Sequence, residues 1–263
     1  MRCVSILLAC AALFLGACGE SSLPDPTGKG SVRAINAIPA SPEITFLIEE
    51  RAVGVAEYKS GTSASSFDDF SYNFNFELLY LGDSEPTRIA SQNLQVVAEK
   101  DYVFVLGGTL DNASVTVWEG DERTWTGDET NFELRFGHAA ASFDSMDVYF
   151  VPENDVAGPN NLVDTLAYGE AGAASELAEG TYAIVATTAG DINDVIFQTV
   201  ELAFTARTTL LVTFFDGDEN DLAPIAVRAI QPGGTVFAFA DSRTSPTTRF
   251  IHASADLGPV DIQ

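Results

Sequence analysis

One fourteen-residue pattern occurs three times in this chain, and it constrains the fold more than any other feature. RAINAIPASPEITF starts at Arg33, RFGHAAASFDSMDV at Arg135 and RFIHASADLGPVDI at Arg249. Three residues after each arginine stands Asn36, His138 or His252. Eleven residues after it comes an apolar side chain (Ile44, Met146 or Val260), followed by Thr45, Asp147 or Asp261. The first two arginines are 102 residues apart and the last two 114. Further anchors keep the same order: Tyr58 and Tyr72 match Tyr168 and Tyr182, both pairs 14 apart. The segment LVTFFDGDENDLAPIAV also resembles VFVLGGTLDNASVTV. A period near 100 residues is the size of a whole domain. The expected organisation is one repeat at 31–131, a second at 132–246, and at 247–263 the start of a truncated third. A free strand there would be a sticky edge unless packed back on the second unit.

Within each unit the apolar residues alternate with period two. Phe70, Tyr72, Phe74, Phe76, Leu78 and Tyr80 interleave with Ser71, Asn73, Asn75 and Glu77, the pattern of a half-buried strand. Similar runs cover 102–106, 115–118, 146–151, 182–187, 209–215 and 236–240. Gly107-Gly108, Asp111-Asn112, Gly158-Pro159 and Gly233-Gly234 punctuate them as turns. Only Ala171–Glu179 tolerates a helix. The pattern predicts an all-β chain of two tandem antiparallel β-sandwich domains, immunoglobulin-like or transthyretin-like.

The amino terminus bears on location. Arg2 is followed by an apolar run of roughly 16 residues, shorter than the ~20 needed for a membrane-spanning helix. Leu15-Gly16-Ala17-Cys18 resembles a bacterial lipobox, so residues 1–17 read as a lipoprotein signal peptide and Cys18 as the lipidated residue. Several acyl chains give a stable anchor where one is marginal. Gly19 after the cysteine, in place of Asp, favours the outer over the inner membrane. Residues 18–30 then form a flexible tether of about 20 Å. Cys3 and Cys10 leave with the signal, so the mature domains are expected to depend on packing alone.

The R-x-x-H-A-S…V-D segment, Tyr168-Gly169 and Gly180-Thr181-Tyr182 resemble the domain-of-unknown-function family 4397. The resemblance spans most of 31–263 and is strongest in the second unit; the first carries Asn36 for His and Thr45 for Asp. It implies β-sandwich domains, often in tandem, in bacterial lipoproteins and secreted proteins. It implies no catalytic residue and no cofactor.

Composition and chemistry narrow the function. The chain has 38 acidic and 13 basic residues and a formal charge of −25, against nucleic acid as a partner. His138 and His252 are the only histidines, one in each unit, whereas a catalytic centre gathers several groups in one place. Ser142, Ser254 and the aspartates supply triad residue types without a nucleophile elbow. Replacement by Asn36 and Thr45 in the first unit suits a hydrogen-bonding role. Arg33, Asn36, Arg135, His138, Asp147, Arg249, His252 and Asp261 are therefore read as structural repeat positions. Asp216, Asp218 and Asn220 space oxygens as calcium loops do, but Asp221 and Val227 stand where Gly and Glu are needed. Trp118 and Trp125, among acidic residues, are a candidate sugar-stacking surface. The expectation is a lipid-anchored cell-envelope module for binding, adhesion or structure, not an enzyme, with an envelope or extracellular partner. A calcium- or carbohydrate-dependent surface adhesin and, less favoured, a hydrolase are the rivals.

Overall fold

The computed structural model describes residues 25–218 and 223–244. Cys18, Asn220, Arg249, His252, Ser254 and Asp261 lie outside the described residues, as does the segment read as a third repeat.

The described chain is all-β. Its first part forms β1 (Lys29–Asn36), β2 (Ile44–Ile48), β3 (Arg51–Ala56), β4 (Ser60–Gly61), β5 (Ser65–Asp68), β6 (Ser71–Leu78), β7 (Thr87–Gln95), β8 (Lys100–Thr109) and β9 (Asn112–Asp121). Then come β10 (Asn131–Ala139), β11 (Ser145–Pro152), β12 (Leu162–Ala167), β13 (Ser175–Ala178), β14 (Gly180–Thr188), β15 (Val195–Gln198), β16 (Leu202–Phe204), β17 (Thr209–Asp216), β18 (Ile225–Ile230) and β19 (Val236–Phe239). Each strand run expected from alternation is present. The helix-tolerant piece Ala171–Glu179 instead supplies β13, whose side chains alternate in exposure against β10.

Four sheets result, with orders β4-β1-β8-β9, β3-β2-β6-β7, β13-β10-β17-β18-β19 and β12-β11-β14-β15. The first two enclose one core, in which Phe46, Phe74, Phe76 and Phe104 pack with ring centroids 4.2–6.0 Å apart. The last two enclose a second core, where Phe150 stacks on Tyr182 and meets Phe204 edge-on. Such aromatic pairs contribute about 0.5–1.5 kcal/mol each beyond area burial.

The repeat is visible in hydrogen-bond detail. The bulge between Phe46 and Leu47 recurs between Val148 and Tyr149, and that between Phe76 and Glu77 recurs between Ala186 and Thr187. Bulges set strand bend, so matching bulges give matching curvature.

Two ladders depart from the antiparallel expectation. β1 runs parallel to β8, and β10 parallel to β17. The chain leaves β1, builds the facing sheet and returns at β8, a crossover long enough for parallel pairing. β1, β8, β17 and β18 also lose their alternation, because nearly every residue is buried, and β10 loses it from Phe136 onward. A third cluster explains this: Ile35, Val103, Val105, Trp118, Leu211, Phe215 and Ile230 pack between the sheets containing β1 and β10. Both faces of these strands are covered, and doubly covered strands read as continuous apolar runs.

Candidate functional site

The outward face of β1 carries Arg33 and Ile35, with Ala37 just past its end; that of β10 carries the repeat-equivalent Arg135, Gly137 and Ala139. Ile35, Ala37 and Ala139 belong to the apolar cluster, but the arginines lie at its end, where the two sheets part. A cavity of about 730 Å³ opens there, lined by both arginines and by Asp101, Glu133, Lys100 and Arg123, among others.

The two arginines are held differently. Arg135 donates from Nε to Gly172 O at 2.8 Å and from Nη2 to Glu119 O at 2.9 Å, tying β10 to β9. Burial pulls its pKa down, while Asp101 acts to raise it and Arg33 to lower it further. Arg33 is only 3% exposed and donates from Nη2 to Asp101 Oδ2 at 3.1 Å. Among the described residues its Nε and Nη1 are buried without an acceptor, as is Arg123 Nε. Lys100 sits at the rim on Asp121, and Arg123 Nη2 on Glu129 and Glu176. The Glu133 carboxyl is half-buried and its pKa is pushed up by burial, with the Arg123 charge opposing.

His138 is fully buried at the other end of β10. Its Nδ1 accepts the Ala140 N–H at 3.3 Å, just as Asn36 Oδ1 accepts the Ile38 N–H at 3.1 Å. An accepting Nδ1 puts the ring proton on Nε2, which is buried without a partner among the described residues. Tyr168 stands edge-on at 6.0 Å. Burial drives the His138 pKa down to about 4; the Phe143 backbone and the Asp216 and Glu170 carboxylates only partly oppose it.

Asp147 is not the partner of His138. Its Oδ1 accepts from Thr165 Oγ1 at 2.6 Å and its Oδ2 from Gly190 N at 2.8 Å, bracing β11 against its neighbours. Ser142 is held elsewhere, its backbone N–H on Asp216 Oδ1. The structure thus does not join the triad residue types of this segment.

Neither do Asp216 and Asp218 form an open oxygen cage. Asp216 accepts from Ala141 N at 2.9 Å and Ser142 N at 3.0 Å, while Asp218 pairs with Lys59 at 3.0 Å. Among the described residues no group of three or more His, Cys, Asp or Glu is arranged for a metal. Trp118 is buried, with Nε1 donating to Gly169 O at 2.7 Å. Arg123 covers the face of Trp125 at 4.2 Å, so the tryptophans do not form one open stacking surface.

Sequence reasoning singled out both arginines but not the cavity between them. Asp101, Arg123 and Glu133 were missed, since only the packing of one sheet on the other brings them together. The available signal was the arginine itself, recurring on a strand whose other residues are apolar.

No curated protein matches the chain. Residues 30–149 match the model of a family described as Domain of unknown function (DUF4397). That span includes β1 from Gly30, all of β2–β10 and most of β11, hence the first unit and the Arg135–Asp147 anchors, whereas the resemblance was expected over most of 31–263 and strongest in the second unit. Over these residues, a little under half of the chain, the sequence matches the DUF4397 family that the repeat segments resemble.

Proposed function

We propose that this protein is a non-enzymatic binding module of the bacterial cell envelope, lipid-anchored through Cys18, in the outer membrane. Its two tandem β-sandwich domains, 31–131 and 132–246, have an immunoglobulin-like or transthyretin-like arrangement. The observation that carries the binding reading is the cavity of about 730 Å³ lined by repeat-equivalent Arg33 and Arg135. Its volume falls within the range of about 300–1,000 Å³ typical of small-molecule sites, and charged groups of both signs converge on it.

The test is a melting-temperature survey of the wild type and an Ala173→Trp variant with amino acids, peptides, phosphate and oligosaccharides. Ala173 is an exposed residue on the cavity wall. Stabilisation of the wild type by one class, lost in the variant, supports the reading; no stabilisation by any class removes it. For the anchor, Cys18→Ser should move the protein from the membrane to the soluble fraction. An unlipidated wild-type chain by intact mass would end that part.

A further inference from the structure

We infer that the cavity receives a small zwitterion, an amino acid or short peptide, with its carboxylate on Arg33 and its ammonium group toward Glu133. This deepens the binding reading and rests on it.

Arg33 points to the carboxylate. Its guanidinium has five N–H donors, and the three on Nε and Nη1 are buried without an acceptor among the described residues, so the side chain must turn toward the cavity for a carboxylate to reach them. Arg135 shows what the same repeat position does when it only holds sheets together: it donates to two backbone carbonyls. Arg33 forms neither of the corresponding bonds. Its one acceptor among the described residues, Asp101 Oδ2 at 3.1 Å, is itself on the cavity wall. An incoming carboxylate competes with Asp101 for the guanidinium and brings two oxygens where Asp101 supplies one. Carboxylates and guanidinium groups match in shape and charge, and the bond strengthens away from water.

Glu133 points to the ammonium group. It occupies the position that Ser31 has in the first unit, pairing with Thr209 as Ser31 pairs with Asp101. Its half-buried carboxyl lines the same cavity, and no side-chain hydrogen bond holds it among the described residues. Burial raises its pKa, so a cation brought beside it is favoured as the ionised pair forms.

Charge selects between ligand classes. A simple anion must pass Glu119 and Asp121 at the rim, on a chain of formal charge −25. A simple cation leaves the Arg33 donors unmet and faces Arg135. A molecule carrying both charges satisfies both ends and adds no net charge to the cavity.

The experiment uses the full-length chain in detergent, titrated with L-alanyl-L-alanine and followed by calorimetry. N-acetyl-alanyl-alanine lacks the ammonium group, alanyl-alanine amide lacks the carboxylate, and phosphate and maltose complete the series. The dipeptide should bind, and each capped analogue should bind about tenfold more weakly or worse, the scale of one lost charge-assisted hydrogen bond. Arg33→Gln should reduce dipeptide binding to the level of the amide. Glu133→Gln should reduce it to the level of the acetylated analogue. If Arg33→Gln does not fold, the wild-type series still decides. Equal binding of the dipeptide and both capped forms overturns the inference. Phosphate or maltose binding without the dipeptide, abolished by Ala173→Trp, overturns the zwitterion and leaves the binding module standing. Failure of every probe removes both.

Discussion

Trp118 lies against the backbone of Gly137: a methyl group on Gly137 would stand 2.3 Å from the indole Cζ3. By the repeat, Trp118 corresponds to Ile230 and Gly137 to Ile35. Ile35 and Ile230 converge on Gly61, within 3.3 and 3.4 Å of where its Cβ would sit. One end of the seam thus uses two medium side chains, and its pseudo-symmetric counterpart uses a large one over none. The volumes are traded between equivalent positions, which keeps both contacts filled.

Gly137→Ala should therefore destabilise the chain by about 1–3 kcal/mol, because the indole is also tied to Gly169 O and resists displacement. Adding Trp118→Leu to Gly137→Ala should cost less than the two single changes together, since the smaller side chain admits the methyl. Urea unfolding of the three variants measures the coupling. Strict additivity would mean that the indole moves aside freely.

At position 138 the repeat itself supplies the control. Asn36 accepts the N–H two residues on, as His138 does. His138→Asn should keep that bond and cost less than His138→Leu, which strands the buried Ala140 N–H at about 1–3 kcal/mol. Unfolding midpoints rank the variants. Asn at or below Leu would show that the ring volume and its contact with Tyr168, not the accepted hydrogen bond, decide the site.

The same histidine sets a pH dependence with a definite sign. In the unfolded chain its imidazole protonates near pH 6.5, but in the folded chain only near 4. The unfolded state therefore binds the proton first as pH falls. Stability contributed by neutral His138 is complete above 6.5 and is lost progressively toward 4, by at most on the order of 3 kcal/mol. Comparing wild type with His138→Asn from pH 7 to 4 cancels the common titration of carboxylates. The wild type should lose more; parallel curves would place the imidazole in contact with water.

Much of this architecture is legible from local pattern. Alternation from Phe70 to Tyr80 marks β6, and its exception is physical: Asn75 is buried because its Nδ2 donates to Glu49 O at 2.7 Å. The repeat anchors pair Asn36 with His138, and each accepts the N–H two residues on. What local pattern does not contain is the meeting of the two outward faces. Val103, Val105, Leu211 and Phe215 are apolar for that reason, yet in sequence they read like any strand interior. The cavity, which exists only where those faces diverge, was invisible for the same cause. Repeat spacing does not say what Asp147 binds, because its partners, Thr165 and Gly190, come from elements with no counterpart in the motif.

At Asp216 a calcium loop and a backbone brace make opposite demands. Its two carboxylate oxygens accept the N–H groups of Ala141 and Ser142, which fixes the turn after β10 against the end of β17. Its backbone oxygen also accepts the Tyr58 hydroxyl at 2.6 Å, so the loop end is held from both units. A cation would have to take those carboxylate oxygens from the N–H donors and compete with Lys59 for Asp218. Asp216→Ala should therefore lower stability by about 1 kcal/mol, the brace being at the surface, and Asp216→Asn by less because one oxygen remains. For a chain of this size, that corresponds to a melting-temperature decrease of about 2–4 °C for the alanine variant. Millimolar calcium should leave wild type and both variants where they are. Calcium that stabilises the wild type and not Asp216→Ala would show that the carboxylate holds a cation, and the brace would have to be reassigned.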